Sequence, residues 1–463
     1  RGSRRVVIAY TEAVAPSSGV RRYTYPLPHG TASDMPPFAM HVDAKVVGFE
    51  GADGVRARGY ELTRGGGATE VTLTMDDAAF RPSGDLVLEY TTADKASPMS
   101  SYAFRSPAHD GKPGDTYAAF ALRPSLPKWS DVRPRDQVVV IDSGRSMFGE
   151  RFLRARRLAV QMIQEMDRRD RVTVLACDLR CKPLASGFVG PGAAAAHDVD
   201  AFLSAITPDG ASDLVGAVGA AARVDGHDGA RDLRVTVLST GNATAGHKAL
   251  SRVAAEVRDR IGAGAHTQVS AVPIGGDSDT AFLSELTKGG GGVVVPYQPG
   301  ETLASAALAV LNASYGTVLR DPVLVLPEGL VEAAPAVLPP LRAGGEALLA
   351  AKMLRERVEG DVILRGTVGG EPFEQKIPVS LVATDAPGNA FVPRVYAQYR
   401  IADRELQPGD AARAEAVDLS KRFAVPSRFT SLLVLESEAM FQAFGVGRTK
   451  RTEASFTGDD VAR

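Results

Sequence analysis

The densest chemistry in the chain is the run Asp142-Ser143-Gly144-Arg145-Ser146, directly after the largely apolar stretch 137–141. Two serines beside an aspartate at a strand end are material for a nucleophilic hydrolase, with Ser143 or Ser146 attacking and Asp142 as the orienting acid. The run does not read Gly-x-Ser-x-Gly, and no histidine or carboxylate follows at a strand end in triad order, so a hydrolase is the alternative rather than the leading reading. The same residues have a structural use, since Ser or Asp at a strand-to-helix turn satisfies free helix amides. Cys177 and Cys181 are the only two cysteines. They form either a small disulfide that pins a turn and implies an oxidising compartment, or two thiols at a strand end. Four-residue spacing is not that of a redox Cys-x-x-Cys, and closing so short a loop contributes more to local geometry than to global stability. The seven histidines do not cluster, which leaves zinc sites without ligands. The glycine run 289–292 lacks the Lys-Ser/Thr of a phosphate loop and precedes a strand, so it reads as a turn.

These residues need a scaffold, and composition bounds it. The 463 residues are 44% hydrophobic and 23% charged, values of a globular chain of about three domains, which excludes wholesale disorder, collagen-like repeats and coiled coil. Arginine and lysine number 53 against 55 acids, for a net charge of -2, so there is no electrostatic footprint for nucleic acid. No apolar run approaches the roughly 20 residues that cross a bilayer. The chain opens on Arg1 rather than Met, so a leader or anchor would lie outside this stretch.

Residues 1–125 read as strands at 5–9, 21–27, 38–47, 71–75 and 85–91, broken by glycine-rich turns, which predicts an all-β sandwich. After the proline-rich stretch 123–134 the pattern changes. Apolar strands at 137–141, 171–177, 233–238, 267–273 and 292–295 alternate with amphipathic helices at 150–168, 199–206, 213–223, 248–261, 279–286 and 301–312. Such alternation predicts a mostly parallel, doubly wound sheet covered on both faces, with ligands beyond the carboxyl ends of its strands. Strand patterns return at 322–326, 347–353, 362–366 and 375–381. A helical stretch at 394–423, an apolar strand at 431–435 and a polar, disordered tail at 448–463 follow.

The segment Asp142-Ser143-Gly144-Arg145-Ser146 after its strand resembles the opening of a von Willebrand factor A domain, which reads Asp-x-Ser-x-Ser and begins a metal-ion-dependent adhesion site. The loop Asp209-Gly210-Ala211-Ser212-Asp213-Leu214 is similar to the family's Gly-Gly-Thr-Asn-Leu, and Leu238-Ser239-Thr240-Gly241-Asn242 to its Leu-Thr-Asp-Gly-Glu. The resemblance implies Asp142, Ser146 and Ser212 as metal ligands. Two positions depart from it: Gly144 replaces the middle serine and Thr240 the second aspartate. Magnesium usually needs one or two carboxylates among its oxygen ligands, and only one carboxylate remains here. Arg145 adds a positive charge that repels a cation or takes its place. No cofactor is therefore required, and magnesium or calcium would be held weakly.

The motifs Tyr23-Thr24-Tyr25-Pro26-Leu27, Pro37-Phe38-Ala39-Met40, Ser101-Tyr102-Ala103-Phe104 and Phe429-Thr430-Ser431-Leu432-Leu433-Val434-Leu435-Glu436 look like a vault protein/inter-alpha-trypsin (VIT) domain and the end of bacterial proteins that pair it with an A domain. That resemblance implies an A domain inserted into a β-sandwich, with 105–132 and 316–390 sharing one unit. The expected division is a VIT-like domain over 1–125 entered partway, an A domain over 133–315, the sandwich segment 316–390, a helical segment with closing strand over 391–447, and the tail. The expected function is a non-enzymatic protein-binding or adhesion module of the cell envelope, periplasm or exterior, with an unidentified protein partner. Its binding face comprises Ser143, Gly144, Arg145, Phe148, Asp213, Thr240 and Asn242. Alternatives are a metal-dependent adhesin, the hydrolase above, and a scaffold docked through the β domain.

Overall fold

The computed structural model describes residues 14, 16–17, 20–25, 27, 36–49, 54–67, 70–82, 86–91, 97–107, 114–127, 134–262, 267–295, 297, 302–431 and 442–443. The strands expected at 5–9 and 431–435 and the tail 448–463 lie outside these, apart from Ser431.

The first unit is antiparallel. Strands β1 (Pro16–Ser17), β2 (Val20–Tyr25), β3 (Phe38–Val47), β4 (Val55–Arg58), β5 (Thr63–Gly66), β6 (Glu70–Phe80) and β7 (Leu86–Tyr90) form sheets of order β1-β2-β7-β4 and β3-β6-β5. Alternation places Val42 and Val46 of β3 inward, in one core with Val71 and Leu73 of β6 and Leu86 and Leu88 of β7.

The next two strands, β8 (Met99–Arg105) and β9 (Thr116–Leu122), leave that unit. β9 pairs on one side with β8 and on the other with a strand from far down the chain, Ala347–Met353, which places 99–105 and 116–122 in one sheet with 347–353. The physical reason is visible in β9 itself. Tyr117 to Leu122 are all buried, as befits a central strand covered on both faces.

Between them lies the α/β unit: β10 (Arg135–Asp142), α1 (Glu150–Glu165), β11 (Arg171–Cys177), β12 (Cys181–Pro183), α2 (Ala193–Ser204), α3 (Leu214–Ala222), β13 (Asp232–Ser239), α4 (Leu250–Ile261), β14 (Thr267–Pro273), α5 (Thr280–Gly289), β15 (Gly291–Val294) and α6 (Leu303–Tyr315). The sheet order is β12-β11-β10-β13-β14-β15, parallel except for the short edge strand β12. Every residue of β10 is buried. One face packs on α1, α2 and α6 through residues such as Leu158, Met162, Val199 and Val310, and the other on α3, α4 and α5 through Val218, Val257 and Leu283. This is the doubly wound α/β fold with added β-rich parts that the sequence predicts.

The chain then supplies β16 (Val318–Val325), β17 (Leu330–Ala334), β18 (Leu341–Arg342), β19 (Ala347–Met353), β20 (Arg357–Val368), β21 (Glu371–Val382), α7 (Val392–Glu405) and α8 (Asp410–Phe423). Sheets β18-β16-β20-β21 and β17-β19-β9-β8 enclose a second β core around Phe120, Leu122, Leu349 and Leu364. The helical stretch is two helices, broken before Gly409. They cover the outer side of β9 and β19 through Tyr117, Tyr396 and Phe423. Glu346 fastens the first sandwich to the second. Its side chain is 1% exposed and accepts from Arg21 of β2 at 2.7 Å and Arg123 at 2.8 Å.

Candidate functional site at the carboxyl edge of the parallel sheet

β10 and β13 run in register, Ile141 opposite Leu238, so the next residues along, Asp142 and Ser239, end side by side. Asp142 is fully buried. One carboxylate oxygen accepts from the Gly144 amide at 2.9 Å and the Ser212 hydroxyl at 2.8 Å, and the other from the Ser239 hydroxyl at 2.7 Å. Ser239 in turn accepts from the Gly241 amide at 2.9 Å. Among the described residues no basic side chain faces the carboxylate through a hydrogen bond or ion pair. Burial pushes its pKa up, the bonds from Ser239, Gly144 and Ser212 pull against that, and the nearby charge of Asp178 adds to the rise.

The absent side chain at Gly144 has a geometric cause. A Cβ there would stand 2.0 Å from the Ser212 hydroxyl and 3.1 Å from the Asp142 carboxylate. Ser212 thus fills the space a serine at this position would need. At the second departure, Thr240 donates to the Ser146 hydroxyl at 3.1 Å, so neutral hydroxyls meet where the family has a carboxylate.

Of the predicted metal ligands, Asp142 and Ser212 are in direct contact, while Ser146 is joined to Thr240 instead. The donors brought together are one carboxylate, with both oxygens already accepting, and hydroxyls. Among the described residues no three His, Cys, Asp or Glu side chains group around a point. This set falls short of the charge a magnesium or calcium site calls for.

Among the described residues no histidine is bonded to Asp142, Ser143 or Ser146. The bonds of Asp142 run to Ser212, Ser239 and Gly144 rather than to Ser143 or Ser146. Ser143 is 5% exposed. Three of the described histidines pair elsewhere: His41 with Asp76, His227 with Asp136 and His247 with Glu256.

The predicted face residues separate into two groups. Arg145 and Phe148 stand out from the edge, with the guanidinium 4.9 Å from the ring centroid. Asp213 does not project from the face. It caps α3, accepting the Gly216 amide at 2.8 Å, with Gly246 so close that a Cβ there would meet the carboxylate at 2.1 Å. Asn242 is half-buried and lines a cleft of about 760 Å3 with Lys248, Asp279, Glu405 and Arg428, toward the α7–α8 hairpin. Cys177 and Cys181 are disulfide-bonded and close the β11–β12 turn beside Asp142.

Sequence reasoning did not select Ser239, Leu179 or Arg180. For Ser239 the available signal was a hydroxyl ending a buried strand adjacent to β10. For Leu179 it was an apolar residue inside a three-residue loop, and its 62% exposure depends on the hairpin.

Backbone bonds lace the edge loops together. The Ser143 amide donates to the Cys177 carbonyl at 2.7 Å, Arg145 to Gly210 at 2.9 Å, Asp209 to Ser143 at 2.9 Å, Asp213 to Asp178 at 3.2 Å, and Thr244 to Ser212 at 3.1 Å.

Residues 136–295 match the family model for the von Willebrand factor type A domain. No curated protein matches the sequence. Among solved structures the chain is similar to a von Willebrand factor type A protein from Catenulispora acidiphila, at 12% identity over 70% of this chain and 86% of that one, with a TM-score of 0.42. It is also similar to the ArnB paralog VWA2 from Sulfolobus acidocaldarius, at 14% identity over 70% and 88% of the two chains, with a TM-score of 0.36. The pilus adhesin SpaC from Lactobacillus rhamnosus GG matches at 11% identity over 61% of this chain and 48% of that one, with a TM-score of 0.31. By the family match over 136–295, with its helix-covered parallel sheet and the Asp142 turn at its carboxyl edge, the chain carries a von Willebrand factor type A domain.

Proposed function

We propose that the chain is a non-enzymatic protein-binding module whose A domain presents the loops 143–149, 208–214 and 240–246 to a partner without a fully formed metal site. The observation that carries this is the hydroxyl enclosure of Asp142. With Ser212, Ser239 and the Gly144 amide on its oxygens, and Ser212 in the space of a side chain at 144, the carboxylate serves the loops rather than an ion. Magnesium or calcium binds weakly at most. The exposed Arg145 and Phe148 then meet the partner directly. An arrangement with the A domain set into a VIT-like sandwich is supported by the pairing of β9 with β19 across the A domain. The Cys177–Cys181 bond supports an envelope, periplasmic or extracellular site, where disulfides persist. Among the described residues no helix is long and apolar enough to cross a membrane.

Capture from an envelope fraction, with the full chain and its Phe148→Asp variant as baits, tests the reading. The expected result is a protein retained by the parent chain in EDTA and lost with the variant. Capture that needs a divalent cation, or that ignores Phe148→Asp, overturns it, as does labelling of Ser143 or Ser146 by a serine-reactive probe.

A further inference from the structure

The carboxyl edge holds a second apolar and cationic pair on the loop next to Arg145 and Phe148. The disulfide closes the turn Asp178-Leu179-Arg180, whose tip is tied by the Asp178 amide to the Arg180 carbonyl at 3.1 Å and by the Arg180 amide to the Asp178 carboxylate at 2.8 Å. Leu179 is 62% and Phe148 56% exposed, although both sit on loops fixed by the backbone lacing described above. Holding large apolar side chains in water on rigid backbone is a feature of binding surfaces, because little ordering is left for the partner to bring about.

Charge selects the partner. Arg145 lies over the Phe148 ring, and its nearest carboxylate, Asp209, is 3.9 Å away with both side chains mostly in solvent. Arg180 and Lys182 make no ion pair among the described residues. Against these cations stand Asp209 and Asp178, with Asp178 turned into its own loop, while the neighbouring Glu150 and Asp277 are paired with Arg154 and Arg151. Asp142 lies buried beneath. The exposed charge is therefore cationic and close to apolar side chains. A guanidinium held by an aromatic ring is already oriented for a bidentate bond to a carboxylate.

We propose that this face captures a segment of a partner protein in which Asp or Glu residues alternate with large apolar ones, the carboxylates bonding to Arg145 and Arg180 and the apolar side chains packing on Phe148 and Leu179. This rests on the protein-binding reading above and adds the partner's chemistry.

The test is selection of short random displayed peptides on the full chain, followed by fluorescence anisotropy of the enriched peptides against three proteins: the parent, Arg145→Glu/Arg180→Glu and Phe148→Ser. All these positions are exposed, and melting curves check that the variants fold. The expected outcome is enrichment of acidic peptides containing Leu or Phe, bound about tenfold or more weakly by either variant and progressively more weakly as salt is raised. Neutral or basic winners overturn the inference, as do acidic winners bound equally by the charge-reversed protein, or a selection that enriches nothing. Non-acidic winners lost with Phe148→Ser sink the inference and leave the binding-face reading standing. Winners insensitive to every substitution sink both.

Discussion

Two aspartates on β10, Asp136 at its amino end and Asp142 at its carboxyl end, are both completely buried, yet they are stabilised in opposite ways. Asp136 is faced by two arginines and a histidine. Arg171 bonds both its oxygens, at 2.9 and 2.8 Å, while His227 stands at 2.9 Å and Arg231 at 3.8 Å. Asp142 receives only hydroxyls and an amide. The amino edge of the sheet is thus fastened by charge, with its cations reaching out to water. The carboxyl edge is held by short neutral donors from three loops, which ties those loops into one surface. A buried carboxylate without a cation looks like an invitation to a metal ion. At Asp142 the hydroxyl donors already satisfy its oxygens, and burial favours a proton.

The sharpest way to break the comparison is at the charged end. Asp136→Asn leaves the guanidinium groups of Arg171 and Arg231 without their anion and His227 without its carboxylate partner. It is expected to cost about 3 kcal/mol in urea unfolding, the low end for a broken buried pair, because those side chains are 18–33% exposed. A loss near zero would mean the amino edge is not fastened by charge.

Next in size is Gly144→Ser. The new Cβ collides with the Ser212 hydroxyl, so a loss of about 2 kcal/mol is expected from overpacking. Adding Ser212→Gly should recover most of it, and additive losses in that double-mutant cycle would contradict the shared space.

The smallest effect is Asp142→Asn, expected to cost about 1 kcal/mol because an amide keeps part of the hydrogen bonding. Its pH dependence has a definite sign. The folded pKa of Asp142 is raised, so between its ordinary value and the raised one the native state holds more protons than the unfolded state. The parent's stability from this group is therefore fully present in acid and falls as pH rises through the folded value. Asparagine carries no such dependence. The cost of Asp142→Asn should accordingly be greatest in acid and shrink toward neutral pH, read from unfolding at several pH values. A cost that grows with pH would reverse the assignment.

The α/β insert was legible because parallel strands buried on both faces read as apolar runs. Arg171–Cys177 and Thr267–Pro273 fall where the pattern puts them. The family resemblance joined 105–132 to 316–390, but the residue pattern did not mark strand β9 or its register. Its Tyr-Ala-Ala-Phe-Ala-Leu run has no polar alternation, and only pairing with a strand more than two hundred residues away reveals its face. At the site, Asp142, Ser146 and Ser212 stood out by motif, and Gly144 and Thr240 by departure from it. Ser239 did not, because its role depends on two parallel strands ending in register. Asp213, expected on the face, spends a carboxylate oxygen on the Gly216 amide in the first turn of α3, a role that its place just before the helix could have signalled.

Calorimetric titration of magnesium, calcium and manganese into the full chain, with Asp142→Asn alongside, bears most directly on the neutral carboxyl edge. No saturable micromolar binding to either protein is the predicted result. Micromolar binding to the parent that disappears in Asp142→Asn would contradict it and make Asp142 a metal ligand.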